Sequence, residues 1–320
     1  MADRGRILRL ARAFITVVVI GGVAVLFTVA LVENWSEVQR RGLGFGWQWI
    51  VAVLLFASAV LVSGVLWGWI VAALAPGKSV SMREATMVHS ASWLLKYIPG
   101  QVGSLVNKVV WGKQAGISRA LIVITFIYEN VFLQVASIVP SAIILITGLG
   151  GAFVASNWLA SLLIALALVP LVAVLVPPAF RAVLSFASRR VLKEALPPEY
   201  FLRTGSTAAF LFGFTVPRLL NGIGFVVLAS AVTTVTPDRW LAFGAAYVLA
   251  GAIGILAVFV PSGLGVREAV IFACLIAAGV PPAEAVVVSL LARLLSTIAD
   301  VVVAACYAVL RFSPLKDRLA

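Results

Sequence analysis

Phe259-Val260-Pro261-Ser262-Gly263-Leu264-Gly265 interrupts one long apolar segment, and Tyr97-Ile98-Pro99-Gly100-Gln101-Val102-Gly103 interrupts another. Each stretch is an aromatic, a β-branched residue, a proline, and a glycine four places past the proline. Proline and glycine free backbone groups that lipid cannot satisfy. Such breaks persist in a membrane helix only where protein or a wet cavity takes those groups up. One break in each half of a chain is the pattern of a transporter whose site is built from discontinuous helices.

The rest of the chain agrees. Of its 320 residues 62% are hydrophobic and 11% charged, with mean hydropathy +1.12. These values place it among integral membrane proteins. The net charge of +12 would suggest nucleic acid in a soluble protein. Here the basic residues flank apolar spans, which is the membrane pattern, and no nucleic-acid partner is expected. Cys274 and Cys306 form no disulfide framework or metal spacing and read as small buried hydrophobes. The N-terminal Arg4, Arg6, Arg9 and Arg12 precede an apolar run from Ala13 to Val32, too long for a signal-peptide core and read as an uncleaved span.

Six spans follow from apolar length: 13–32, 47–74, 118–147, 157–178, 206–232 and 282–311. Two broken segments, 84–112 and 240–279, stand between them. Loop charge decides whether a broken segment crosses or turns back. With a cytoplasmic N-terminus and both segments re-entrant, sixteen basic residues lie inside, three outside and five within the membrane. That bias follows the positive-inside rule. The fold expected is an all-α integral membrane protein of about six transmembrane helices and two re-entrant helical hairpins, with both termini cytoplasmic. It forms a single membrane domain over 1–320. Three crossings per half make an inverted-topology repeat, 1–150 against 151–320. Ala115-Gly116-Ile117 after the first break and Ala278-Gly279-Val280 after the second extend the match.

Charge inside a bilayer requires a partner or water. Five embedded basic residues, Lys96, Lys108, Arg218, Arg267 and Arg293, exceed three acidic ones, Glu129, Glu268 and Asp300. Arg293 shares a helical face with Ser289, Ser296, Thr297 and Asp300. Glu129 reads either as an ion-pair partner of Arg293 or, if unpaired, as a proton carrier. Arg267 and Glu268 open the helix that leaves the second break at Gly265. Gly103 and Ser104 do so at the first. Helix N-termini of this kind suit anions, and arginine suits phosphate. Arg218 and Asn221 follow Pro217 and face the same cavity or brace a kink. His89 lies seven residues before Lys96. The candidate substrate contacts are therefore Arg267, Arg293, Glu268, Glu129, Asp300, Lys96, Lys108, Gly103, Ser104, Gly265, Arg218 and Asn221, with Pro99, Gly100, Pro261 and Gly263 as the breaks. The surplus positive charge points to an anionic guest.

The chain has no Walker A motif, no His/Cys cluster for zinc and no Gly-x-Ser-x-Gly elbow. No cofactor or metal is called for, and the reading is a transporter rather than an enzyme.

The two break motifs, together with Val266-Arg267-Glu268-Ala269 and Leu290-Leu291-Ala292-Arg293, resemble the lysylphosphatidylglycerol synthase transmembrane-region family. The resemblance covers most of the chain. It implies a flippase-like core in a bacterial inner membrane, as in the flippase domain of the multiple peptide resistance factor. It also implies lipid substrates: aminoacylated phosphatidylglycerol in the best-known members, polyprenyl-phosphate sugars or hopanoids in others. No soluble aminoacyl-transferase region is visible in these residues, so lysyl-lipid synthesis is not expected and the lipid stays open. The alternatives are a membrane enzyme acting on a lipid-linked sugar, or a non-catalytic partner of a lipid synthase. The partners foreseen are membrane lipids. A lipid-synthesis or glycosyltransferase enzyme and a homodimer are left open.

Overall fold

The computed structural model describes residues 46–78, 80–97, 102–149, 182, 185–186, 200–257 and 260–312. The expected spans 13–32 and 157–178 lie outside these residues, as do Pro99 and Gly100. Every described element is helical.

Helix α1 runs Trp47–Leu74 and holds no charge and no proline. It stops at Ala75-Pro76-Gly77, where Gly77 takes φ +86°. Helix α2, Met82–Leu94, starts at Ser81, whose hydroxyl accepts the Glu84 N–H at 3.1 Å. Ser-x-x-Glu ahead of an apolar run is a helix-start signal. A turn, Leu95–Tyr97, leads into the first break. Helix α3, Val102–Gln114, leaves it and is followed by α4, Arg119–Leu149. Next come α5, Thr204–Gly213, and α6, Thr215–Ala229. A turn at Pro237–Arg239 opens α7, Trp240–Leu256. The turn Pro261–Gly263 forms the second break, from which α8, Val266–Ala277, and α9, Pro282–Phe312, emerge.

Five segments among the described residues are long and apolar enough to cross a membrane: Trp47–Leu74, Arg119–Gly148, Thr204–Ala229, Pro237–Leu256 and Pro282–Phe312. The protein is thus a multi-pass helical membrane protein. The two broken segments differ in their arms. At 1.5 Å per residue, α2, α3 and α8 reach only about 20 Å, short of the roughly 30 Å hydrocarbon core. The first arm of the second segment, Pro237–Leu256, is long enough to span by itself, although 240–279 reads in sequence as one hairpin. The expected span 206–232 is likewise two helices joined at Phe214.

Close backbone approach sets the packing around the first break. Gly64 and Gly68 stand one turn apart on α1, the small-xxx-small spacing that lets membrane helices meet closely. A Cβ on Gly68 would lie 2.6 Å from the Ala85 Cβ, and one on Gly64 would lie 3.1 Å from the His89 Cβ. Helix α2 is thereby laid along α1 with His89 turned inward. Helix α6 also packs on α1, α7 on α4, and α2 on α9. The turns at the two breaks, Leu95–Tyr97 and Pro261–Gly263, touch each other.

The exits from α3 and α8 repeat bond for bond. Ala115, Gly116 and Ile117 donate to the carbonyls of Trp111, Lys113 and Gly112. Ala278, Gly279 and Val280 donate to those of Cys274, Ile276 and Leu275. The Ile117 and Val280 bonds span five residues, and the glycines take φ +66° and +78°, which together make a Schellman cap. Each cap leads into a 31-residue helix. Cys274 and Cys306 are free and half-buried, more exposed than their sequence setting suggests.

Candidate functional site

A cavity of about 330 Å³ lies beside the meeting turns Leu95–Tyr97 and Pro261–Gly263, with walls from α1 through α4 and α6 through α9. It is the chemistry of its ionisable side chains that distinguishes it, and these fall into three groups.

The first group is wholly buried. Lys108 on α3 is 1% exposed, Glu129 on α4 3% and His89 on α2 4%. The Lys108 ammonium donates to Glu129 Oε2 and lies 4.3 Å from the centre of the Trp67 ring, over its face. His89 Nδ1 is 3.0 Å from Glu129 Oε1. Trp67 is itself held by a 3.2 Å bond from its indole N–H to Thr125 Oγ1. The partner of Glu129, left open in the sequence, is therefore Lys108 with His89, and Arg293 is paired elsewhere. The group ties both arms of the first broken segment to α4.

The second group joins that segment to α9. Lys96 Nζ donates to Asp300 Oδ1 at 2.7 Å, and the Trp93 indole N–H donates to the same oxygen at 2.8 Å. Ser104 donates to the Ser92 carbonyl at 2.6 Å. Asn107 donates to Ser92 Oγ at 2.9 Å, closing α3 onto α2.

The third group surrounds the second break. Ser262 takes φ +54° and Gly263 +63°, a left-handed turn that glycine adopts freely and serine does not. A Cβ at Gly263 would lie 2.7 Å from Gly254 Cα, so the break is seated backbone to backbone on α7. The Gly265 N–H donates to Glu268 Oε2 at 2.6 Å. Arg293 Nε stands 3.7 Å from the other oxygen of Glu268, and Nη1 donates to the Ser262 carbonyl at 3.4 Å. Glu268 and Arg293 thus engage the turn itself. Arg267 is directed differently: its aliphatic stem lies over Gly254, where a Cβ would fall 2.4 Å from Cγ. Its guanidinium sits 5.5 Å from the Tyr247 ring centre.

Of the residues singled out in the sequence, Lys96, Ser104, Lys108, Glu129, Arg218, Asn221, Gly263, Arg267 and Asp300 line the cavity. Gly103 is buried in the first turn of α3, and Gly265 caps α8 at φ +83°. The polar stripe on α9 divides. Ser296 and Asp300 reach the cavity, while Ser289 is fully buried and bonded to the Ala285 carbonyl. Sequence reasoning passed over Trp93, Tyr247 and Gly254. The signals available were a tryptophan three residues before Lys96, and a single tyrosine with spaced glycines on an otherwise apolar helix.

Substituting Gly263 with alanine should strain the break twice, through positive φ and through Gly254. The expected loss is about 1–3 kcal/mol, read as a lower thermal unfolding temperature in detergent, with helix content unchanged.

A largely apolar cavity set with charged side chains, walled by spanning helices and by the arms of two broken segments, defines a multi-pass membrane protein with a built internal site. The chain belongs to the lysylphosphatidylglycerol synthase TM region family, whose model it matches over residues 14–304. No curated relative matches it.

Proposed function

We propose that this protein is a flippase-like translocase for an anionic lipid of the bacterial inner membrane, a phospholipid or a polyprenyl-phosphate-linked lipid. One observation carries this reading: the cavity holds two cations with no carboxylate partner. Lys108 and Lys96 are balanced by Glu129 and Asp300. Among the described residues Arg218 and Arg267 form no ion pair, and Arg218 Nε is buried without a hydrogen bond. An unpaired buried charge is costly, and a guanidinium pair is suited to phosphate oxygens. The guest would place its phosphate between Arg218 and Arg267 and leave its tails in the bilayer.

Inverted repeats fit the same picture. The matched caps, the matched 31-residue helices, and the reciprocal packing of α7 on α4 and α2 on α9 support two related halves. In this reading each half contributes one re-entrant segment, Glu268 and Arg293 brace the second break, and membership of the family favours lipid as the cargo.

The test is reconstitution into vesicles carrying either acyl-labelled phosphatidylglycerol or a labelled polyprenyl phosphate, with a membrane-impermeant quencher reporting the exposed leaflet. The protein should accelerate exchange of at least one of them over protein-free vesicles, and the recovered lipid should be chemically unchanged. A modified lipid would indicate an enzyme. Vesicles indistinguishable from protein-free ones would remove the translocase reading.

A further inference from the structure

His89 is the only histidine in the chain, and it lines the cavity while almost wholly buried. Its two ring nitrogens have different surroundings. Nδ1 is 3.0 Å from a carboxylate oxygen of Glu129 and 3.4 Å from the Lys108 ammonium. Nε2 is buried with no partner. A neutral imidazole carries one donor and one acceptor nitrogen. The carboxylate contact is the shorter of the two, and the Lys108 ammonium is already taken by Glu129, so we assign the hydrogen to Nδ1, where it avoids opposing lone pairs. Nε2 is then a bare acceptor, shielded from solvent, on a residue that lines the cavity.

We propose that His89 is a proton-binding site, and that entry of an anionic head group is coupled to uptake of a proton on Nε2. The inference rests on the translocase reading and adds its energy source. The proton comes from a hydronium ion, which leaves as water; Nε2 is shielded in the empty protein, so its delivery accompanies entry of the head group. An N–H bond forms at Nε2, no other bond breaks, and Nδ1–H remains on Glu129. The charged neighbours are few. Helix α1 offers none, α3 offers Lys108, α4 offers Glu129, and α9 offers Asp300, which is engaged by Lys96. Burial and Lys108 oppose an imidazolium and Glu129 supports it, so in the empty cavity the ring is expected to be neutral. A bound phosphate adds negative charge to the same cavity and favours the imidazolium. By linkage the imidazolium equally favours the phosphate, by up to about tenfold per pH unit for one linked proton.

Imidazole nitrogen NMR on protein carrying nitrogen-15 histidine reads this one residue directly. Without lipid, the neutral ring should be the Nδ1–H tautomer. Adding dihexanoylphosphatidylglycerol at fixed pH should raise the imidazolium fraction. In vesicles, a pH gradient should change the exchange rate of labelled lipid severalfold in the wild type, and H89Q should exchange at one rate with or without the gradient. A neutral Nε2–H tautomer, or an imidazolium fraction indifferent to the lipid, overturns the inference. Gradient-insensitive exchange in the wild type overturns it while leaving the translocase reading intact. Absence of any exchange counts against the translocase reading, and the NMR arm then decides His89 separately.

Discussion

Replacing Lys108 with methionine should cost about 3–5 kcal/mol, the range for removing one partner of a buried ion pair. The reason is what stays behind. Glu129 would remain 3% exposed with only His89 beside it, and the ammonium that lay over Trp67 would be gone. Glu129→Gln should be damaging in the opposite sense, by stranding the ammonium. The double variant Lys108→Met with Glu129→Gln should regain most of the loss, because both charges leave together. The measurement is thermal unfolding in detergent across all four proteins, analysed as a double-mutant cycle. Additive losses would show that the pair is not coupled. Lys96 and Asp300 are the comparison: their side chains keep 15% and 10% exposure against 2% and 4% for Lys108 and Glu129. Partial access to water should soften the loss in Asp300→Asn.

The difference between these pairs marks where sequence reading stops. Apolar length places α1 at 47–74, as found, because Gly46 and Pro76 bound an apolar run free of charge and proline. It places the last span to within a residue for a similar reason, with Pro281-Pro282 before it and the polar tail after Phe312. It merges α5 and α6, since the apolar pattern runs through Gly213-Phe214-Thr215, although Pro217 in the first turn of α6 withholds the N–H that would have bonded the Gly213 carbonyl and so marks the joint. Charge pairing is a different kind of fact. Glu129 is equally placed in sequence to meet Arg293 or Lys108. The choice is made by Gly64 and Gly68, which bring α2 against α1 and so carry His89 into the wall beside α4. Arg267 and Arg293 look equivalent in the chain as well. Only the seating of Gly263 on Gly254 turns the first to the cavity and leaves the second holding the Ser262 carbonyl. Long-range contacts of this kind depend on helix rotation, which hydropathy does not report.

Arg218→Gln and Arg267→Gln should each weaken binding of an anionic lipid about 10- to 100-fold, the equivalent of losing a charged hydrogen-bond partner worth about 1.5–3 kcal/mol. Arg218→Gln should leave stability unchanged or improve it, and Arg267→Gln should cost at most about 1 kcal/mol, for the lost Tyr247 contact. Neither guanidinium has a carboxylate to strand, and Arg218 Nε is buried without a partner, so removing the charge relieves desolvation rather than exposing it. A site that opposes stability in the empty protein and supplies affinity in the loaded one is how function is separated from architecture. Lys108→Met destabilises whether or not lipid is present. Arg267→Lys divides the question further. It keeps the charge and the Cγ–Cδ stem over Gly254 but loses the planar fork, so it should bind better than the glutamine variant and worse than wild type. Titration of each variant with dihexanoylphosphatidylglycerol, set beside its unfolding temperature, gives both axes. Variants that lose affinity and stability in proportion would make the two arginines structural. Affinity lost with stability retained would identify Arg218 and Arg267 as the groups that hold the head group.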